Sequence, residues 1–292
     1  MSSEFALNEP RLPPELEHKV FQTVALARPR WIPALMLVAR RVKVWVEPLL
    51  YRVVFLKNPT SAFQEPDKIG IPTLAGDAVE QISHNLQNVR HLLIDDGFVR
   101  DKLRNWLLGC TGVTNLCALF ACTPNILPSI SGFTNIKYLT IEPRALCGAT
   151  LPVPLFLTVT HLELLDYPNE GESVDRVFPN VSLIPRLTHI ALNSPMDKLL
   201  LHAGLCANAQ LQCIIIFSSE ASLNRSPLLG DSRFVCIDDG ASYYADWLRG
   251  AVFGKDYWSF ADDFLAARRA GAIDRSRYHI VNGKDFHFVK GD

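Results

Sequence analysis

Residues 132–141 read GFTNIKYLTI, and residues 112–121, one line earlier, read GVTNLCALFA. Both contain a phrase of apolar residue, two residues, apolar residue, one residue, apolar residue. The phrase is Ile136/Leu139/Ile141 in the first stretch and Leu116/Leu119/Ala121 in the second. It returns at Val89/Leu92/Ile94, Val159/Leu162/Leu164, Leu187/Ile190/Leu192 and Leu211/Ile214/Ile216, with first positions 27, 20, 23, 28 and 24 residues apart. The last two apolar positions of a phrase share one side of an extended chain, because side chains alternate with a period of two. One unit cannot bury such a face alone, so successive units are expected to stack, with Leu92, Leu119, Leu139, Leu162, Ile190 and Ile214 in a single row.

The phrase and its intervals resemble leucine-rich repeats, which place one short strand in each repeat. The asparagine usual in that family, three residues after the third apolar position, is absent. Gly97, Pro124, Arg144, Tyr167, Pro195 and Ser219 stand there in turn. The buried backbone groups of the turns must then find other partners, and an uneven arc is expected. Residues 78–86, 102–108 and 196–207 carry helical signals between the strands. Residues 52–56 (RVVFL) and 234–237 (FVCI) fit a first and a last strand. A conventional α/β sandwich with a parallel sheet is the alternative architecture.

Ahead of the repeats the pattern changes. Leu16, Val20, Val24 and Ala27, with Phe21 beside them, follow a helical period after Leu12-Pro13-Pro14. Arg28-Pro29 ends that helix, since the residue before a proline is pushed out of the helical region. Leu35, Val38, Val42, Trp45 and Leu49 form a second periodic set. Pro48 predicts a break in it, or two helices over 33–41 and 43–51.

LPPELEHKVFQ (12–22) and LMLVARRVKVWVEPLLYRVVFL (35–56) resemble the two halves of an F-box, closest to a large fungal set of F-box-like proteins. Many F-boxes read LVCRRW where this chain reads Leu37-Val38-Ala39-Arg40-Arg41-Val42, with Trp45 a turn later. The resemblance implies docking onto a Skp-type adaptor protein of a cullin ubiquitin ligase. By residue match Leu12, Pro13, Leu16, Val20, Phe21, Leu37, Val38 and Leu49 would form the adaptor-binding surface. Packing of the same residues as intramolecular core is the competing reading. Arg28, Arg30, Arg40, Arg41, Lys43, Arg52 and Lys57 make this region basic. They suit a solvated face or an acidic partner better than a nucleic-acid groove, which interleaves exposed aromatics.

The expected fold class is therefore α/β: a short helical F-box-like segment followed by an irregular leucine-rich-repeat-like solenoid of parallel strands. The divisions are a tail at 1–10, the helical segment at 11–51, the array at 52–240 and a C-terminal cap at 241–292. The cap follows from the aromatic density of Tyr243, Trp247, Phe253, Trp258, Phe260 and Phe264. Asn282-Gly283 suggests a closing hairpin.

The 292 residues are 48% hydrophobic and 20% charged, with a formal net charge of -1, which excludes a global field for nucleic acid or membrane. No secretory h-region or spanning apolar run is read, so a cytoplasmic or nuclear location is expected. Seven cysteines without a CxxC pair fit reduced thiols. No hydrolase elbow, phosphate loop or dinucleotide fingerprint occurs. Asp95-Asp96, Asp238-Asp239 and Asp262-Asp263 are adjacent pairs that rarely converge. His161 and His189, at equivalent repeat positions, are expected to face away from the core as surface histidines. A protein-binding substrate receptor with an unknown target follows, with no catalytic residue, cofactor or metal. A stand-alone repeat scaffold is the alternative.

Overall fold

The computed structural model describes residues 12–56, 73–74, 85–94, 107–118, 133–143, 146, 154–165, 178–192, 199–218, 223, 225–238 and 243–280. Three helices open the chain: α1 (Pro14–Ala27), α2 (Ile32–Leu35) and α3 (Arg40–Leu50). Strands β1 (Val53–Leu56), β2 (Thr73–Leu74), β3 (His91–Ile94), β4 (Asn115–Cys117), β5 (Tyr138–Ile141) and β6 (His161–Leu164) follow. Next come α4 (Phe178–Val181), β7 (His189–Leu192), α5 (Leu199–Ala207), β8 (Cys213–Phe217), β9 (Phe234–Ile237), α6 (Tyr243–Phe253), α7 (Tyr257–Arg269) and β10 (His279–Ile280).

The strands form one open sheet in the order β10-β9-β8-β7-β6-β5-β4-β3-β1-β2, and every pairing is parallel. From β4 to β10 each strand lies beside its predecessor in sequence, while β3 pairs with β1. At the other edge β2 passes to the far side of β1. The fold is thus mixed α/β with a helical N-terminus.

The row of apolar residues is continuous: Val54, Leu92, Leu116, Leu139, Leu162, Ile190, Ile214 and Phe234 are successive register partners. Its β4 member is Leu116, not Leu119, which lies outside the described residues. Leu116 therefore holds the second place of its phrase and Val113 the first. The alignment of GVTNLCALFA with GFTNIKYLTI was three residues out of phase. Corrected, the first positions fall at 24, 23, 23, 28 and 24 residues, closer to a single period than the sequence suggested. The same period governs the hydrogen bonds that enter each strand. The amides of Thr114, Lys137, Thr160, Thr188 and Gln212 donate to the carbonyls of Arg90, Thr114, Lys137, Thr160 and Thr188 at 2.7–2.9 Å.

This first face of the sheet carries the main core, in which Leu92, Leu116, Ile136, Leu162 and Ile214 are fully buried. Burying each such side chain contributes about 1.5–3 kcal/mol. At the entries to the strands, different side chains take backbone carbonyls of neighbouring turns. Arg90 Nη1 donates to Gly112 O at 2.9 Å, Thr158 Oγ1 to Ile136 O at 2.8 Å, and Arg233 to the carbonyls of Cys206, Asn208 and Leu211.

The second face corrects the expectation for residues 241–292. Helices α6 and α7 do not sit at the end of the array; they lie across the sheet. Trp247, Leu248, Ala251 and Val252 of α6 pack on Val53, Phe55, Leu93 and Cys117. Tyr257, Trp258, Ala261, Phe264 and Leu265 of α7 pack on Ala191, Cys213, Ile215, Val235 and Ile237. Both faces are therefore covered, the usual condition of parallel sheets. Among the described residues only β10 extends the edge beyond β9, and it does so as a parallel strand. The Asn282-Gly283 turn lies outside the described residues.

Candidate docking surface

Helix α1 begins at a proline pair: Pro13 precedes it and Pro14 occupies its first position, where no N–H is needed. It ends at Ala27, with Arg28 at φ -137° ahead of Pro29. Helix α3 runs unbroken to Leu50 with Pro48 inside it, so no break precedes Pro48; two helices do form, but they part at 36–39 rather than near residue 42. Pro48 falls in the last turn. The carbonyl that loses its partner belongs to Val44, on the exposed side of the helix, where water can take the bond.

The three helices close on a small core of their own. Ala25, Ile32, Val42 and Val46 are buried, with Phe21, Leu35, Met36, Trp45 and Leu49 packed around them. Arg41 makes a two-pronged contact to Glu17, 2.8 and 3.1 Å, that ties α3 to α1. The His18 and Trp45 rings lie 5.0 Å apart across the same junction. The module joins the sheet through Tyr51, which packs against the main core, and α1 runs beside α6.

Of the residues expected to bind an adaptor, Phe21 and Leu49 are partly buried in this core. The other six, Leu12, Pro13, Leu16, Val20, Leu37 and Val38, are exposed. Leu37 is 87% exposed and Val38 61%. Leu16 and Val20, four residues apart, share one side of α1, opposite its inward Phe21 and Ala25, and Leu12 lies just ahead of the helix. Trp31 and Val44, which the sequence reading did not single out, are exposed as well. Arg28 lies 5.6 Å over the Trp31 ring, and Arg30, Arg40, Arg41 and Lys43 are also exposed. Among these cations, Arg41 is matched by Glu17 and Lys43 lies 3.9 Å from Glu47. The surface is thus apolar with a basic margin.

The two repeat histidines are not surface groups. His161 and His189 do face away from the main core, but α7 roofs them, and His189 is buried with its Nε2 3.0 Å from Asp262 Oδ1. Their equivalent repeat positions foretold their adjacency. Nothing local foretold Asp262, which lies 73 residues further along the chain. Asp263 beside it is exposed, so that acidic pair does not converge. Among the described cysteines, Cys110 is a thiol that burial pushes up to about 12, a state without nucleophilic reactivity near neutrality.

The chain matches no family model and no curated protein. No helix among the described residues is long and apolar enough to cross a membrane.

Proposed function

We propose that this protein is a binding receptor whose N-terminal helices dock a Skp-type adaptor of a cullin-type ubiquitin ligase. The repeat-like array behind them would hold a target protein. One observation carries the reading: Leu12, Leu16, Val20, Leu37 and Val38 lie outside the core of a module that has a separate core already. A three-helix module with so few buried residues gains little from its own packing, and it leaves outward the apolar side chains that a partner would bury. The basic margin suits a partner with acidic residues at its rim.

The solenoid reading of the array rests on the corrected repeat of 23–28 residues and on strands that succeed one another from β3 to β10. Besides lacking the repeated asparagine, it differs from an ordinary leucine-rich array in its second face. Its second face is occupied by α6 and α7, so a target would be met elsewhere than on the sheet itself. No catalytic step is assigned to this chain. In the alternative, a stand-alone scaffold with the helices as a cap, the module would share the array's core. The separate cluster around Val42 and Val46 counts against that reading.

The test is co-purification of the full chain with a Skp-type adaptor, alongside Leu37→Asp and Val38→Asp. Burying a leucine or valine contributes about 1.5–3 kcal/mol, so each substitution is expected to weaken the complex by at least about tenfold. Both positions are exposed, so the free chain should fold as before. Failure of the native chain to retain an adaptor, or equal retention by both variants, removes the proposal.

A further inference from the structure

Between the patches covered by α6 and α7, the second face carries polar side chains: Asn115, Tyr138, Thr140, His161, Glu163 and His189. Within this strip His161 and His189 are register partners on β6 and β7. Their rings stack at 4.1 Å with a 14° interplanar angle, and Tyr138 stacks on the far side of His161 at 4.3 Å. Each imidazole is held by the residue before it. Thr160 Oγ1 lies 2.8 Å from His161 Nδ1, and Thr188 Oγ1 lies 2.7 Å from His189 Nδ1. Both hydroxyls also lie within 3.3 Å of a backbone carbonyl, Lys137 O and Thr160 O respectively. Each hydroxyl can thus donate to that carbonyl and accept the ring Nδ1–H. Nε2 is then the nitrogen with a free lone pair on both rings, and a tautomer fixed in this way is the usual second shell of a metal-binding histidine.

Asp262 completes the group from α7. One ligand atom from each of His161, His189 and Asp262 lies within 4.8 Å of the others. The 3.0 Å from His189 Nε2 to Asp262 Oδ1 is near the separation of two donors on a tetrahedral ion with bonds of about 2.0–2.1 Å. Trp258, one turn before Asp262, sets its ring edge against both imidazoles at 5.1 and 6.1 Å and gives the group an apolar wall. The Asp262 side chain is half exposed, so an ion has a way in and a position open to water.

We propose that His161, His189 and Asp262 form a site for a divalent ion of the zinc type, which fastens α7 to the sheet. Two imidazoles with one carboxylate suit zinc and its neighbours in the first transition row, and do not suit magnesium or calcium, which take oxygen donors. Joint coordination requires the two rings to open from their stacked angle, and the edge of Trp258 is the neighbour that must yield.

The experiment uses the full chain, stripped with a chelator and titrated with cobalt(II), then with zinc as competitor. The expected result is one equivalent of cobalt with the visible absorption of a low-coordinate ion, displacement by zinc, and a higher melting temperature with zinc than without. Asp262→Asn and His161→Phe are expected to lower the affinity at least about tenfold. His161→Phe keeps the aromatic stack. Asp262→Asn alters a half-exposed group, so it decides the matter if the first variant fails to fold. Absence of saturable one-to-one binding overturns the proposal. So does undiminished binding by Asp262→Asn, which would place the ion on other residues.

Discussion

The indole N–H of Trp247 donates to Asn115 Oδ1 across 3.1 Å, joining residues 132 positions apart in the chain. Both are buried, and the bond ties α6 to the start of β4. Neither group has water in its place if the other is removed.

Trp247→Phe keeps most of the packing and leaves the Asn115 amide oxygen without this donor. An unsatisfied buried acceptor costs about 1–3 kcal/mol, added to the smaller ring's lost contacts. Urea unfolding should show the drop in midpoint. A double variant with Asn115→Leu should cost less than the two single changes together.

Arg268 fastens the other helix. Its guanidinium is buried at the end of α7 and donates to the carbonyls of Arg277, Phe234 and Ser232, with the Phe264 ring 5.7 Å beneath it. The planar fork reaches three carbonyls at once, and a lysine ammonium cannot copy that geometry. Arg268→Lys is expected to destabilise the chain by about 1–3 kcal/mol, measured by thermal or urea unfolding. A variant as stable as the native protein would show that the fork is dispensable.

His91, at the start of β3, gives a pH dependence. Its Nδ1 is buried without a hydrogen-bond partner among the described residues. Burial first, then the charges of Arg52 and Arg90, lower it to about 3. The folded chain therefore keeps His91 neutral, while the unfolded chain protonates it near its ordinary value of about 6.5. The unfolded state binds more protons between these values. The contribution is complete above about pH 6.5 and falls as pH drops toward 3, by at most about 1.4 kcal/mol per unit. His91→Phe should flatten the stability profile between about pH 6.5 and 5, before carboxylates protonate. An unchanged slope there would refute this assignment.

Gly112 sits where the backbone closes under Arg90. A Cβ at this position would lie 2.7 Å from Gln87 O and would meet the Arg90 side chain, whose Nη1 bonds the Gly112 carbonyl. Because one of those neighbours is backbone, relief requires the turn itself to move. Gly112→Ala is expected to destabilise by about 1–3 kcal/mol. Gly230→Ala, where no atom lies within 4 Å, serves as the control and should be near neutral.

The legible part of the fold was the part written in local period. The phrases around Leu92, Leu139, Leu162, Ile190 and Ile214 predicted one row because each repeats the same spacing. The error at β4 arose because Val113, Leu116 and Leu119 offer two overlapping apolar phrases three residues apart. Only pairing with Leu92 and Leu139 selects between them. The covering of the second face had a signal that went unread. β1 (VVFL), β8 (CIIIF) and β9 (FVCI) are apolar on both sides, as strands buried on both faces must be. The six outward residues of the helical module were legible as apolar. Their outward direction was not, because a helical stripe reads the same whether it faces a core or a partner.

From the sequence alone came the positions of β1, β3 and β5 to β9, the helical opening and the adjacency of His161 and His189. These depend on spacing between near neighbours, and spacing survives in a linear string. The tertiary structure decided which side of α1 stays outside, where α6 and α7 come to rest, and that Asp262 meets His189. Those are contacts between residues far apart in the chain. They form only when apolar surface on two separate elements finds a common place to leave water, and no local pattern records which two elements meet.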